Sequence, residues 1–123
     1  MATSRVDSSQ LDALPAGVDL SDKVFHCVTV SASGMYVPGS TQRVDGILTE
    51  GNIVGKPVTF QTAGVAKVKA GAALSAGKEV MCDANGKVVT ASGSGSHIVG
   101  VSLSAAGAED EIIPVQLRFA KVA

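Results

Sequence analysis

Short runs of alternating apolar and polar residues, each ended by a turn rich in small residues, recur along this chain from Val24 to Phe119. Such a pattern leaves no room for a long amphipathic helix and confines the chain to short strands joined by tight connections. The sharpest instance is "DANGKV", Asp83 to Val88, where Asn-Gly stands between the apolar runs "EVM" and "VV". That dipeptide predicts a type I′ hairpin turn, which needs φ > 0 at both central residues.

From Val24, "VFHCVTV" puts Val24, His26, Val28 and Val30 on one face and Phe25, Cys27 and Thr29 on the other, a strand with one or both faces covered. Further strands are predicted around Val44, Val58, Val65, Val80, Val88, Val99 and Val115. In the last of these Ile113, Val115, Leu117 and Phe119 face one way, and Pro114 implies an edge strand or a bulge. "AGAALSAG" and "LSAAGAED" are too short and too broken by Gly for more than a single helical turn. The fold class expected is all-β: a small Gly-rich barrel or sandwich built from hairpins.

Two domain segments are expected. Residues 1–20 read as an extended polar N-terminal arm, too sparse in apolar side chains for a packed element, and residues 21–123 as a single β domain. The apolar members of the arm, Val6, Leu11, Leu14, Pro15 and Val18, are the candidate contacts to a partner surface. An internal echo runs through the rest. "VSASGMYV" parallels "MCDANGKVV", "RVDGIL" parallels "HIVGVSL", and "GKPVTF" parallels "EIIPVQL", in the same order. This suggests paired halves, the alternative being convergence among Gly/Val-rich turns.

Composition narrows the function. With 3% aromatic residues the core must be made of Val, Ile, Leu and Ala. A net charge of −1, with Lys and Arg scattered singly, lacks the basic stripe that phosphate-backbone binding needs, so no direct nucleic-acid partner is expected. No apolar run approaches a bilayer span and no signal-type segment leads the chain, so no membrane partner is expected either.

Catalytic patterns are equally sparse. Cys27 and Cys82 lie far apart in strand-like runs and read as buried free thiols, with a disulfide left open. "GSGSH" reads as a solvated hairpin loop, and "EDE" at Glu109–Glu111 as a solvated connection without calcium-loop spacing. Neither Gly-rich stretch has phosphate-loop spacing. No enzymatic activity, metal or cofactor is expected.

One resemblance gives these negatives a direction. Val68 to Leu117 resembles the C-terminal half of small phage head decoration, or capsid cement, proteins. The shared elements are a "GxxLxxGxxV" lead-in, a "D-A-x-G-K" hairpin, a Gly/Ser loop, an "hVGhxLxxA" strand (h apolar) and a closing apolar strand after a small acidic linker. "DLSDKVFHCVTVSASGMYVPG" and "RVDGILTE" are similar to the family's opening elements, so the resemblance covers roughly residues 18–118. The arm ahead of "DLSDK" is longer than the minimal family pattern.

The resemblance implies a non-enzymatic protein made in the host cytoplasm and placed on the outer surface of the phage head. There it would stabilise contacts between major capsid protein subunits as a homo-oligomer, a trimer ahead of a dimer. The alternative is an accessory hammerhead-type β-barrel domain of an enzyme or carrier, in which Lys87 would stand near a hairpin tip. The characteristic lysine pair of such carriers is missing.

Overall fold

A computed structural model describes residues 11–39, 42–92 and 97–121; the candidate contact Val6 and most of the "GSGSH" loop lie outside them. Ten strands are seen: β1 (Leu11–Pro15), β2 (Cys27–Ser31), β3 (Gly34–Tyr36), β4 (Gly46–Glu50), β5 (Pro57–Gln61), β6 (Val65–Lys69), β7 (Glu79–Cys82), β8 (Val88–Thr90), β9 (His97–Ser102) and β10 (Ile112–Lys121). There is no helix among the described residues, and the two Ala-rich stretches expected to allow a helical turn instead bridge one another at Leu74 and Ala106.

The strands form two five-stranded antiparallel sheets, ordered β1-β5-β4-β2-β3 and β6-β10-β9-β7-β8. Renumbering the second sheet from its own first strand yields the same order as the first, so the halves share one topology. Each sheet curls until the end of its first strand meets its third through one parallel bridge, Ala16 to Met35 and Ala70 to Val88. One bridge does not close a barrel, and the arrangement is sandwich-like, as the all-β reading allowed.

The internal echo falls on equivalent elements: the β2–β3 and β7–β8 hairpins, β4 and β9, β5 and β10. It also extends further toward the N-terminus than the sequence reading took it. "AGVDLS" from Ala16 matches "AGAALS" from Ala70, and in each copy the glycine N–H donates to the third strand, Gly17 to the Met35 carbonyl (2.7 Å) and Gly71 to the Val88 carbonyl (2.8 Å).

Two apolar clusters form the core. One lies inside the first sheet, made of Ala16, Leu20, Val28, Met35, Leu48, Val58 and Phe60. The other fills the second sheet with Val68, Val80, Val88, Val99, Ile113 and Val115, and takes in Cys27, Val44 and Ile47 from the first half. Strands β2 and β4 therefore bury both faces, Val28 and Leu48 into one cluster, Cys27 and Ile47 into the other. Valine dominates because β-branched side chains fill a pleated surface without aromatic volume.

Three local expectations are corrected. The strand expected from Val24 begins at Cys27, because Phe25 adopts φ = 69°; its N–H donates to the Leu48 carbonyl (2.8 Å) and its carbonyl accepts from Lys69 (2.9 Å). Of the edge or bulge expected from Pro114, strand β10 is not an edge, since it pairs with both β6 and β9, and its irregularity against β9 lies further on, between Leu117 and Ala120. Pro114 is tolerated there because pairing with β9 begins only at Val115, so the missing N–H falls beyond the ladder. Last, the segment expected to lack a packed element does pack: β1 pairs along β5 from Leu11↔Gln61 to Pro15↔Pro57, and Ala16 and Leu20 are buried.

The DANGKV hairpin also differs in its turn. Gly86 has φ = 79°, but Asn85 is not among the positive-φ residues. Gly86 N–H donates to the Asp83 carbonyl (3.3 Å) and Asp83 N–H to the Lys87 carbonyl (2.7 Å). This three-residue loop is a turn followed by a left-handed glycine, in place of the type I′ form. Asp83 Oδ1 selects it by accepting the N–H groups of Asn85 (2.8 Å) and Lys87 (3.0 Å).

The hairpin serves as a clasp between the halves: the buried Gly86 offers its carbonyl to Cys27 N–H at 2.7 Å. A Cβ on Gly86 would stand 2.6 Å from Val37 Cγ1. Gly86→Val is expected to lower stability by about 2 kcal/mol or more, through forbidden φ and crowding together. Thermal denaturation checks it, and an unchanged melting temperature would remove the clasp from the account.

Candidate interaction surface

The chemistry-bearing side chains are turned inward or toward one another. Lys87 follows Gly86 out of the hairpin, and the "EDE" connection before β10 runs beside it. Lys87 Nζ lies 3.1 Å from Glu109 Oε2 and 2.6 Å from Asp110 Oδ1, and its side chain is only 15% exposed. The hydrogen bond to Asp110, then that to Glu109, holds the ammonium above its ordinary range, and the same contact with Lys87 holds Asp110 below its own. A lysine clamped by two carboxylates does not stand free at a hairpin tip to swing a prosthetic group, as the carrier reading requires.

The pH behaviour of the clamp follows from these directions. Asp110 is depressed below its ordinary 3.8, so its contribution is present above that value and is lost as pH falls through the lower folded value. Lys87 is raised above its ordinary 10.5, so its contribution is present below that value and is lost as pH climbs through the higher folded one. Lys87→Met is expected to lower the melting temperature by a similar amount from about pH 5 to about pH 9. The difference from the parent should vanish at the acid end, and a difference that persists there would mean Lys87 acts through its aliphatic stem.

His26 is buried, and its Nδ1–H donates to the Val24 carbonyl at 3.1 Å. Burial pushes its pKa down, leaving a neutral ring with no carboxylate partner among the described contacts. Cys27 and Cys82 are free, buried thiols facing each other across the two halves. Contact with Cys82 and burial together push the Cys27 thiol up, which keeps it protonated and unreactive. Among the described residues no group of three or more His, Cys, Asp or Glu is placed to hold a metal.

What the surface does offer is apolar. Of the five candidate contacts, Leu14 is 37% and Val18 45% exposed, and Pro15 is exposed at the end of β1. Leu11 is described as strand backbone only, its side chain lying outside the described residues, as Val6 does entirely. Sequence reasoning passed over Ile53 and Val54, both exposed. The signal available was an apolar pair inside a turn, "EGNIVGK", too short for a strand and placed where turn residues are usually polar. A separate groove of about 450 Å³ is lined by Phe25, Lys67, Ile112, Ile113 and Pro114.

The Lys87 clamp thus serves the protein's own fold, and the surface presents small apolar patches. The model of the phage cement protein family matches residues 24–117, and the chain belongs to that family. That membership makes it a structural accessory protein of the phage head, associated with the virion capsid. Among solved structures, the N base of head fiber gp8.5 in bacteriophage phi29 superposes with a TM-score of 0.75 at 12% identity, over 94% of this chain and 98% of that one. At that identity the likeness is one of fold. No curated protein matches.

Proposed function

We propose that this protein cements the assembled head from outside: it binds the outer surface of the shell and stabilises contacts between neighbouring major capsid protein subunits. The observation that carries the reading is the cement-family match over residues 24–117, most of the β body. Stabilisation follows from linkage, because a protein that binds the closed shell and not the separated subunits adds its binding free energy to the work of opening. Several small contacts per copy, repeated around the shell, suit this better than one large one.

In this reading the protein acts as a homo-oligomer, a trimer ahead of a dimer, and the arm supplies contacts through Val6, Leu11, Leu14, Pro15 and Val18.

The test uses heads from a phage lacking this gene. Purified protein should cosediment with them at a saturable ratio and raise the temperature at which they release DNA, and cryo-electron microscopy should place it over subunit seams. Binding to free capsid subunits but not to heads, or saturable binding with no gain in heat resistance, would remove the cement role.

A further inference from the structure

The two halves repeat one backbone device and differ in what it presents. In the first half, Ala16 N–H donates to the Lys56 carbonyl (2.9 Å), Gly55 N–H to the Ala16 carbonyl (2.8 Å) and Leu20 N–H to the Asn52 carbonyl (2.9 Å). In the second, Ala70 N–H donates to the Glu111 carbonyl (2.8 Å), Asp110 N–H to the Ala70 carbonyl (2.8 Å) and Leu74 N–H to the Ala106 carbonyl (3.0 Å). The turn residue is left-handed in both, Gly55 at φ = 83° and Asp110 at φ = 73°. Leu20 and Leu74, at matching positions, are both buried. These shared features are what the fold needs from the device.

At the tips the copies part. Counting back from the left-handed turn residue, the second half has Ala72, Ala108 and Glu109 where the first has Val18, Ile53 and Val54, exposed by 45%, 54% and 59%. The second copy builds the equivalent connection, one residue longer between the matching hydrogen bonds (Ala106 to Glu111 against Asn52 to Lys56), without large aliphatic side chains at its tip, so the device itself does not call for Val18, Ile53 and Val54. Single exposed aliphatic residues need no explanation, but three brought together by one ladder of hydrogen bonds form a patch.

We propose that Val18, Ile53 and Val54 form a knob that seats in an apolar recess on the shell subunit. The inference rests on the cement reading and names the surface that performs it. Size decides the occupant. The three side chains expose at most a few hundred Å², well short of the about 800 Å² per partner found in stable protein pairs. A second copy of this chain would not be held by so small a patch alone, whereas the oligomer of the cement reading would seat several linked knobs on neighbouring shell subunits at once and so combine small contacts.

The experiment transfers the second copy's tip to the first: Val18→Ala, Ile53→Ala and Val54→Glu together, in the full chain. Leu103→Ala, 50% exposed in the second half, is the control. Heads lacking the protein are titrated with each form, and sedimentation velocity and melting temperature are measured in parallel. The expected result is head binding weakened at least ten-fold by the triple variant, with its melting temperature and sedimentation unchanged and the control within two-fold of the parent.

Undiminished binding by the triple variant would overturn the inference while leaving the cement reading in place. Lost self-association with head binding intact would overturn it in favour of a second copy. If the triple variant fails to fold, the premise that folding does not need these side chains is wrong, and Val54→Ser alone is then the binding test. If the parent itself does not bind heads, the cement reading falls first and the inference with it.

Discussion

Gly100→Ala is expected to cost about 3 kcal/mol or more, a large fraction of the stability of an ordinary domain. Gly100 is buried in β9 opposite Leu117 of β10. A Cβ there would overlap the Gln116 carbonyl oxygen and stand 3.0 Å from Val115 Cγ1. The obstacle is the backbone of a neighbouring strand, so it cannot turn aside, and relief requires β9 and β10 to separate. Gly46 occupies the equivalent place in β4, where a Cβ would meet Phe60 Cδ2 at 2.6 Å and the Gln61 carbonyl at 2.9 Å. An aromatic ring can give way in part, so Gly46→Ala should be the milder of the two. Chemical denaturation of both variants checks the ranking, and a Gly100→Ala protein as stable as the parent would mean that the strands are not packed as described.

Deleting residues 2–20 is expected to abolish folding, whereas deleting 2–10 should leave the melting temperature nearly unchanged. The longer deletion removes β1 from the flank of β5 and takes Ala16 and Leu20 out of the first cluster. Leu20 is fully buried, and Leu20→Ala alone should cost about 2–5 kcal/mol. Circular dichroism of the two truncated chains separates the outcomes. A folded 21–123 chain would establish the arm as a separate appendage, the boundary that composition suggests.

That boundary illustrates what the sequence makes legible. Alternation is visible wherever one face of a strand is apolar, so the runs around Val44, Val58, Val65, Val80, Val88, Val99 and Val115 correspond to β4 through β10. "LDALP" does not alternate and carries Asp12 and Pro15, residues poor in strand propensity; it becomes a strand because β5 supplies a ladder from far along the chain. Only the match between "AGVDLS" and "AGAALS" could have revealed it, through equivalence with the stretch after β6.

Phe25 was misread for a related reason: its left-handed backbone is imposed by Leu48 and Lys69, tertiary partners that periodicity cannot see. Of the candidate surface, Leu14 and Val18 could be named from the apolar members of a polar stretch. Ile53 and Val54 looked like ordinary loop residues until their hydrogen-bonded neighbours brought Val18 alongside.

The repeated strand order also bears on how the protein is made. In each half the first strand pairs with the fifth, so neither sheet is complete until its last strand has emerged from the ribosome. While the chain grows between Gln61 and Ile112, one finished sheet carries the side of β2 and β4 that bears Cys27 and Ile47 with nothing yet to cover it. Meanwhile β9 is synthesised with its partner β10 still missing. Non-local closure of this kind is slow, and open strand edges invite pairing with other nascent chains. Translation pauses inside the second half would therefore lower soluble yield more than pauses elsewhere, because they prolong the interval in which an apolar face and an unpaired edge are exposed at once.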